Sequence, residues 1–468
     1  MIISGSKFKA ALAAACIIVS APAGAQDGRH FKFDFGHGQV AEGYVGVTPE
    51  DRYNPGIGYG FEGNAALASV ERRTGDALTS DFVTTDGQQF KFSVKLPQGN
   101  YKVTLTLGDT EGTSLTTVKA EERRLMLERL STAKNEVVTR SFGVNTRDNT
   151  LSPGNAIKFD VREWDPDTDL PVTMTWDDKL TISFSDERPC VCALEIEPCD
   201  DAITVFIIGD STVTDQVTEP YGTWGQHLTR WFQLPVIIAN HAESGQTAKG
   251  FRFQRRWDKI LDQIKEGDYV FIQFGHNDLN DHGHDAMWAT EDKAGEWINT
   301  YADAHTDYAW ALATYALEVK RHGAIPVIVT PMTKLDLKTG IVNIAGMKEY
   351  PQGAREAAEL AGCAVIDLNA MSIKLAEALG TEQAPKAYVD GLHSNMYGGY
   401  MFAKCIVNGI REAGLGLAGY LTEDAAGFDP GKPSPLPDQY SVPADPRVRV
   451  PDPPGFKMFF RQPTNQSK

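Results

Sequence analysis

The spacing of apolar residues changes near residue 200, and that change divides the chain. From about Gly28 to Cys199 the period is two. "FKFDF" (Phe31 to Phe35) and "FKFSVKL" (Phe90 to Leu96) alternate apolar with polar side chains. The turn "PQGN" follows, and "YKVTLTL" (Tyr101 to Leu107) alternates again. Pattern and turn chemistry predict a hairpin. "LTISFS" and "CALEIEP" repeat the habit, so an antiparallel sandwich is expected, each strand with one apolar face. "AEERRLMLERL" has helix-like composition but equally suits a charged strand or an edge excursion.

From about Asp201 short apolar runs alternate with longer amphipathic segments. The runs are "ITVFIIG", "PVIIAN", "DYVFIQFG", "AIPVIVTP" and "CAVIDL". This is a βαβ rhythm, and it predicts a parallel sheet covered on both faces. After about Gly414 the chain turns proline-rich and can continue neither rhythm. It reads as an extended tail laid over the surface.

A length of 468 residues suits two domains rather than one core. The formal net charge of −17 offers no broad basic face for phosphates, which argues against a nucleic-acid partner. Lys7 and Lys9, the apolar "AALAAACIIVS" and the small residues Ala23-Gly24-Ala25 read as a signal peptide over 1–25, cleaved near Gln26. Cys16 inside the apolar run leaves a lipoprotein as the alternative. No other segment is apolar enough for a membrane span. The expected location is periplasmic or secreted. Cys363 and Cys405 either pair or remain two separate buried thiols. No cysteine spacing suggests a metal. "DPDTD" (Asp165 to Asp169) hints at calcium, but Leu170 and Trp176 stand where an EF-hand needs Gly and Glu, so it is read as a turn and no metal is expected.

Four blocks carry possible chemistry. Ser211 follows the run "ITVFIIG" at the edge of a parallel sheet where ligands bind, ahead of a plausible helix start. A helix amino terminus there would favour an oxyanion, although Ser211 and Thr212 also suit simple capping. Gly245, in "SGQTAKGF", lets a backbone N–H approach a ligand closely. Asn277, in "FGHND", offers an uncharged amide donor. Asp390 and His393, in "DGLHSN", are an acid and an imidazole at three-residue spacing. Each alone has an ordinary turn-forming reading. Three follow predicted strands and one precedes a helical run.

In that order the blocks "GDST", "SGQTAKGF", "FGHND" and "DGLHSN" resemble the SGNH, or GDSL-like, hydrolase family over about residues 202–414. The resemblance implies a three-layer α/β/α hydrolase. It implies Ser211 as nucleophile, Asp390 and His393 as its triad partners, and an oxyanion hole of Ser211, Gly245 and Asn277. Thr212, where many relatives carry Leu, looks like the rhamnogalacturonan acetylesterases. Bacterial members of that group commonly carry a galactose-binding-like sandwich, and the segment from "FDFGHGQVAEGY" looks like the start of one. The implied organisation is multidomain: a signal peptide (1–25), an antiparallel jelly-roll sandwich (26–200), a hydrolase with a parallel sheet (201–414) and a proline-rich tail (415–468).

The implied function is a cofactor-free serine esterase that removes acetyl groups from pectic polysaccharide through an acyl-enzyme. Its partner would be an acetylated polysaccharide or oligosaccharide. An acetyl xylan esterase, another carbohydrate deacetylase with the same triad, or a non-catalytic carbohydrate-binding protein are the alternatives. Asp210 reads as structural. His276 either touches the sugar or packs inside. Lys249 and Arg252, in a basic run with Arg255 and Arg256, either pair with galacturonate carboxylates or form a solvated helix face. Tyr53, Tyr59 and Phe61 suit sugar stacking or packing. The acidic, aromatic insertion from Asn280 departs from the family pattern and is expected to shape one cleft wall.

Overall fold

A computed structural model describes residues 28–151, 176–279 and 301–434, apart from 74, 218 and 426, together with the backbone of three short strands between 155 and 171. The signal-peptide reading, most of "DPDTD", the insertion at 280–300 and the tail beyond 434 lie outside the described residues.

The amino-terminal domain is a sandwich of a seven-stranded and a five-stranded sheet. Phe31–Phe35 pairs antiparallel with Cys190–Pro198, so the first and last strands of the domain are neighbours. Phe33, Phe35, Phe61 and Phe92 meet between the sheets. The Phe92 ring takes edge-on contacts from Phe33 at 5.1 Å and from Phe35 at 5.0 Å. Burying each contributes about 1.5–3 kcal/mol. Phe61 is therefore core, Tyr59 leans on Phe33, and Tyr53 lies beneath Lys179; none of the three is a free stacking platform.

The expected hairpin over 90–107 does not form. Phe90–Lys95 pairs with Tyr59–Glu62 and Lys179–Arg188, whereas Gly99–Asp109 pairs with Glu136–Thr146 and Cys190–Pro198 in the other sheet. The chain crosses between the sheets at 96–98. Leu96 donates its N–H to the Asp178 carbonyl, and Pro97 has no N–H to give. Alternation is the same for an arch as for a hairpin, so the pattern could not separate them. "AEERRLMLERL" resolves as a tight turn and the strand Arg124–Thr132, paired with Ser114–Ala120.

The second domain is a five-stranded parallel sheet in the order Val236–Asn240, Ile203–Gly209, Tyr269–Gln273, Ile325–Val329, Ala364–Ile366. Val205 and Ile207 face one layer, which includes the helices Trp224–Leu228, Leu368–Gln383 and Met396–Glu412. Phe206 and Ile208 face the other, which includes Ala248–Phe253, Arg256–Leu261, Ala309–Arg321 and Tyr350–Ala361. The result is the expected three-layer α/β/α arrangement.

The reading of everything past 414 as surface tail is corrected. Leu417, Leu421 and Ala425 join the buried cluster, and Gln233 donates its N–H to the Tyr420 carbonyl. The five cysteines of the described residues are free, so Cys363 and Cys405 are not bridged. Among the described residues no helix is long and apolar enough to cross a membrane.

The domains meet over a buried, charged contact. Asp215 of the hydrolase accepts hydrogen bonds from Arg124 (2.8 Å) and Arg147 (3.3 Å) of the sandwich, and all three side chains are buried. Leu125 of the sandwich sits in the same apolar cluster as Trp224 and Phe402.

Candidate active site

The carboxyl edge of the parallel sheet gathers the four blocks. After Ile203–Gly209 the chain turns at once: the N–H groups of Val213 and Thr214 both donate to the Asp210 carbonyl at 3.1 Å. Asp210 Oδ1 accepts from the Thr212 N–H (2.9 Å) and hydroxyl (2.7 Å). This is a turn closed by its own aspartate. Among the described residues the expected helix start is absent here; the next helix begins at Trp224, capped by Thr223. Thr212 and Thr214 spend their hydroxyls on Asp210 and on the Ala242 carbonyl, which holds them in the turn. Ser211 therefore sits at the tip of a rigid loop, 8% exposed. Any oxyanion near it must use individual donors rather than a helix dipole.

Ser211 Oγ lies 2.8 Å from His393 Nε2, and His393 Nδ1 lies 2.7 Å from Asp390 Oδ2. Asp390 Oδ1 also accepts the N–H groups of Leu392 (3.0 Å) and His393 (2.8 Å). Burial opposes ionisation of Asp390, but the His393 ring and these N–H groups outweigh it and hold the carboxyl below its usual range. Gly391 has φ 80°, and a Cβ there would collide with the Leu335 carbonyl, so only glycine fits between acid and imidazole. Leu335 in turn donates its N–H to the Gly391 carbonyl at 2.8 Å. The Tyr221 ring stands nearly perpendicular to His393, with centroids 5.8 Å apart.

Gly245 occupies the left-handed region at φ 80° after the strand Val236–Asn240. Asn277 follows Tyr269–Gln273, and its Nδ2 donates to the carbonyl of Gln246, next to Gly245, at 3.0 Å. One hydrogen of the amide ties the two loops together and leaves the second for a ligand oxygen. The carboxyl of Asp278 pins the same loops from below, accepting the N–H groups of Ala248 (2.8 Å) and Gly275 (2.9 Å). Burial, with Asp210 nearby, pushes its pKa up to about 7 against those two N–H bonds.

Asp278 was not singled out by its sequence, and neither were Gln273 or Gln216. Gln273 donates to the Thr212 hydroxyl and accepts from the Trp224 indole; Gln216 donates to the Ser211 carbonyl. For Gln273 and Asp278 a polar side chain closing an apolar run was the available signal; Gln216, in the polar stretch after Ser211, carried none.

The three residues with a possible substrate role each take partners within the protein. His276 is 1% exposed, with Nδ1 3.3 Å from Asp210 and Nε2 3.0 Å from the Met332 carbonyl. It belongs to the interior. Lys249 bonds Asp307 and the Tyr301 carbonyl. Arg252 grips Glu318 with both terminal nitrogens and lies over the Tyr315 ring. Their charges are matched within the protein, and neither belongs to the Ser211 cluster. Within the basic run, Arg256 departs from the solvated-face reading, being 2% exposed.

Residues 31–151 match the family described as beta-agarase/YXIM esterase-like, galactose-binding domain-like, and residues 207–398 match the GDSL-like lipase/acylhydrolase family. The chain is 27% identical to the uncharacterized esterase YxiM of Bacillus subtilis over 396 residues, 82% of this chain and 91% of that one. It is 31% identical to the rhamnogalacturonan acetylesterase RhgT of Bacillus subtilis over 238 residues, 47% of this chain and 94% of the relative. The crystal structure of YxiM superposes over 83% of this chain and 99% of its own, at 25% identity and a TM-score of 0.41.

Proposed function

Because the chain belongs to the GDSL-like lipase/acylhydrolase family and is a carboxylic ester hydrolase, we propose that it is a serine acetylesterase acting on carbohydrate, with acetylated rhamnogalacturonan as its substrate. The observation that carries the chemistry is the unbroken line from Ser211 Oγ to His393 Nε2 and from His393 Nδ1 to Asp390, at the same sheet edge as the Asn277 amide. The similarity to RhgT supports the choice of sugar, as does the Thr212 of "GDST".

In this reading His393 takes the Ser211 proton as the serine oxygen attacks the acetyl carbonyl. Asp390 holds the ring in the tautomer whose Nε2 can accept that proton, and stabilises the imidazolium that results. The N–H groups of Ser211 and Gly245 and the Asn277 amide receive the oxyanion. The tetrahedral species collapses as His393 returns the proton to the departing sugar hydroxyl. Water, giving a proton to the same ring, then attacks the acetyl-serine, and the bond to Ser211 Oγ breaks as His393 returns that proton to the serine oxygen, releasing acetate. The protein acts after export, its first 25 residues having served as a signal peptide.

The test is acetate release from acetylated rhamnogalacturonan and from acetylated xylan, by the intact chain and by Ser211→Ala. We expect preference for the pectic polymer and loss of release in the variant. Full activity in Ser211→Ala would sink the mechanism, and preference for xylan would sink the substrate assignment.

A further inference from the structure

The sandwich touches the hydrolase close behind the reacting groups. Its turn between Ser114–Ala120 and Arg124–Thr132 holds two non-glycine residues in the left-handed region, Glu121 at φ 53° and Arg123 at φ 62°. Such residues cost about 1–3 kcal/mol each and persist only where surrounding contacts impose them. From this turn the Arg123 side chain reaches into the hydrolase. One terminal nitrogen donates to two carbonyls, of Gln216 (3.1 Å) and Tyr221 (3.0 Å). The other lies 3.6 Å from Glu219. The neighbouring Glu122 carbonyl accepts from Gln226, which also donates to the Gln216 carbonyl at 2.9 Å.

Both ends of the segment so held reach the reacting pair. Gln216 donates its side-chain amide to the Ser211 carbonyl at 2.7 Å. Tyr221 places its ring edgewise against His393. We propose that Arg123 is a positioning residue for catalysis: through Gln216 and Tyr221 the sandwich fixes the Ser211 main chain and the His393 ring, which makes the amino-terminal domain part of the active site. The inference rests on Ser211 and His393 being the reacting pair.

A guanidinium suits this task because its planar fork holds one terminal nitrogen on both carbonyls while the other faces the Glu219 carboxylate. The arrangement also differs from a general interdomain adhesive. Arg124, one residue along, bonds Asp215 and the Asn145 carbonyl, and so serves the contact between domains.

The experiment compares the full chain with Arg123→Gly and Arg123→Lys. Glycine adopts φ 62° without strain, so that variant loses the guanidinium while relieving the backbone. The readings are kcat and KM on 4-nitrophenyl acetate, the pH profile of kcat, the rate of Ser211 labelling by a fluorophosphonate, and Tm. For Arg123→Gly we expect kcat and the labelling rate to fall about 10- to 100-fold, as small misplacements of reacting groups do. KM should stay within about twofold, since substrate binding is untouched. The acidic limb of the pH profile should move while Tm does not fall, and Arg123→Lys should recover part of the rate. Labelling and kcat within about twofold of the parent would overturn the inference, as would a loss that only tracks the fraction of folded protein. If Arg123→Gly does not fold, Arg123→Lys carries the same readings. A parent that labels with the fluorophosphonate yet releases no acetate from sugar esters would sink the acetylesterase reading and leave this inference standing.

Discussion

Asp390 holds His393 at two points: Oδ2 lies 2.7 Å from the ring Nδ1, and Oδ1 accepts the His393 main-chain N–H at 2.8 Å. The carboxylate thus sets the backbone turn and the ring orientation together. Asp390→Asn separates the two. Its oxygen can still accept the main-chain N–H, but its NH2 then faces Nδ1 and favours the wrong tautomer. We expect kcat to drop about 10⁴-fold with the fold intact. Steady-state kinetics alongside circular dichroism would check it, and a loss under tenfold would count against the triad.

Asn277 makes a separate prediction. If its second amide hydrogen meets the oxyanion, Asn277→Ala should lower kcat about 10²- to 10³-fold, or about 3–4 kcal/mol, with little change in KM. An unchanged kcat with a raised KM would instead mean that the amide only binds ground-state substrate. Kinetics on a soluble acetyl ester decide between these outcomes.

The buried charges between the domains predict a stability effect. In Asp215→Ala the guanidinium groups of Arg124 and Arg147 remain buried without their carboxylate. Removing one partner of such a cluster costs about 3–5 kcal/mol. Burial already pushes the Arg147 guanidinium down to about 9, despite Asp215 beside it. Urea unfolding followed by far-ultraviolet circular dichroism should show a lower midpoint.

His227 predicts how stability responds to acid. It is buried, with Nδ1 2.7 Å from the Thr223 carbonyl. Burial pushes its pKa down to about 4; Lys119 and Arg123 add to the fall, while the Thr223 carbonyl and Glu128 oppose it. The unfolded chain therefore takes up a proton as the pH falls below about 6.5, before the folded chain does. Stability is lost between about pH 6.5 and 4, by about 3 kcal/mol from this residue, and is regained as the pH rises. His227→Gln should flatten the slope of unfolding free energy against pH in that window.

Much of this was legible because it was periodic. Alternating runs marked the sandwich, and short continuous apolar runs separated by amphipathic segments marked the parallel sheet. Ser211, Gly245, Asn277, Asp390 and His393 were legible because each follows a strand or precedes a helix on one edge. What stayed hidden depends on partners far along the chain. Pro97 turns an apparent hairpin into a crossing between sheets, because Leu96 bonds to Asp178 rather than back across a turn. His276 resembles a surface histidine until Asp210 and Met332 close around it. Lys249 and Arg252 look like a basic patch until Asp307 and Glu318 arrive from beyond the insertion. Arg124 and Asp215 are 91 positions apart, and nothing in either neighbourhood announces the other.

The pairing of Phe31–Phe35 with Cys190–Pro198 bears on the order of events during synthesis. The sandwich has all its strands once residue 198 has emerged, before any strand of the parallel sheet exists, and domains fold as units from the amino-terminal end. For a time Arg123, Arg124 and Arg147 face water. The strand Ile203–Gly209 appears next, followed at once by the loop that carries Asp215 and Gln216. The later domain thus assembles against a template already folded, and the nucleophile's loop is among the first of its parts to find that template.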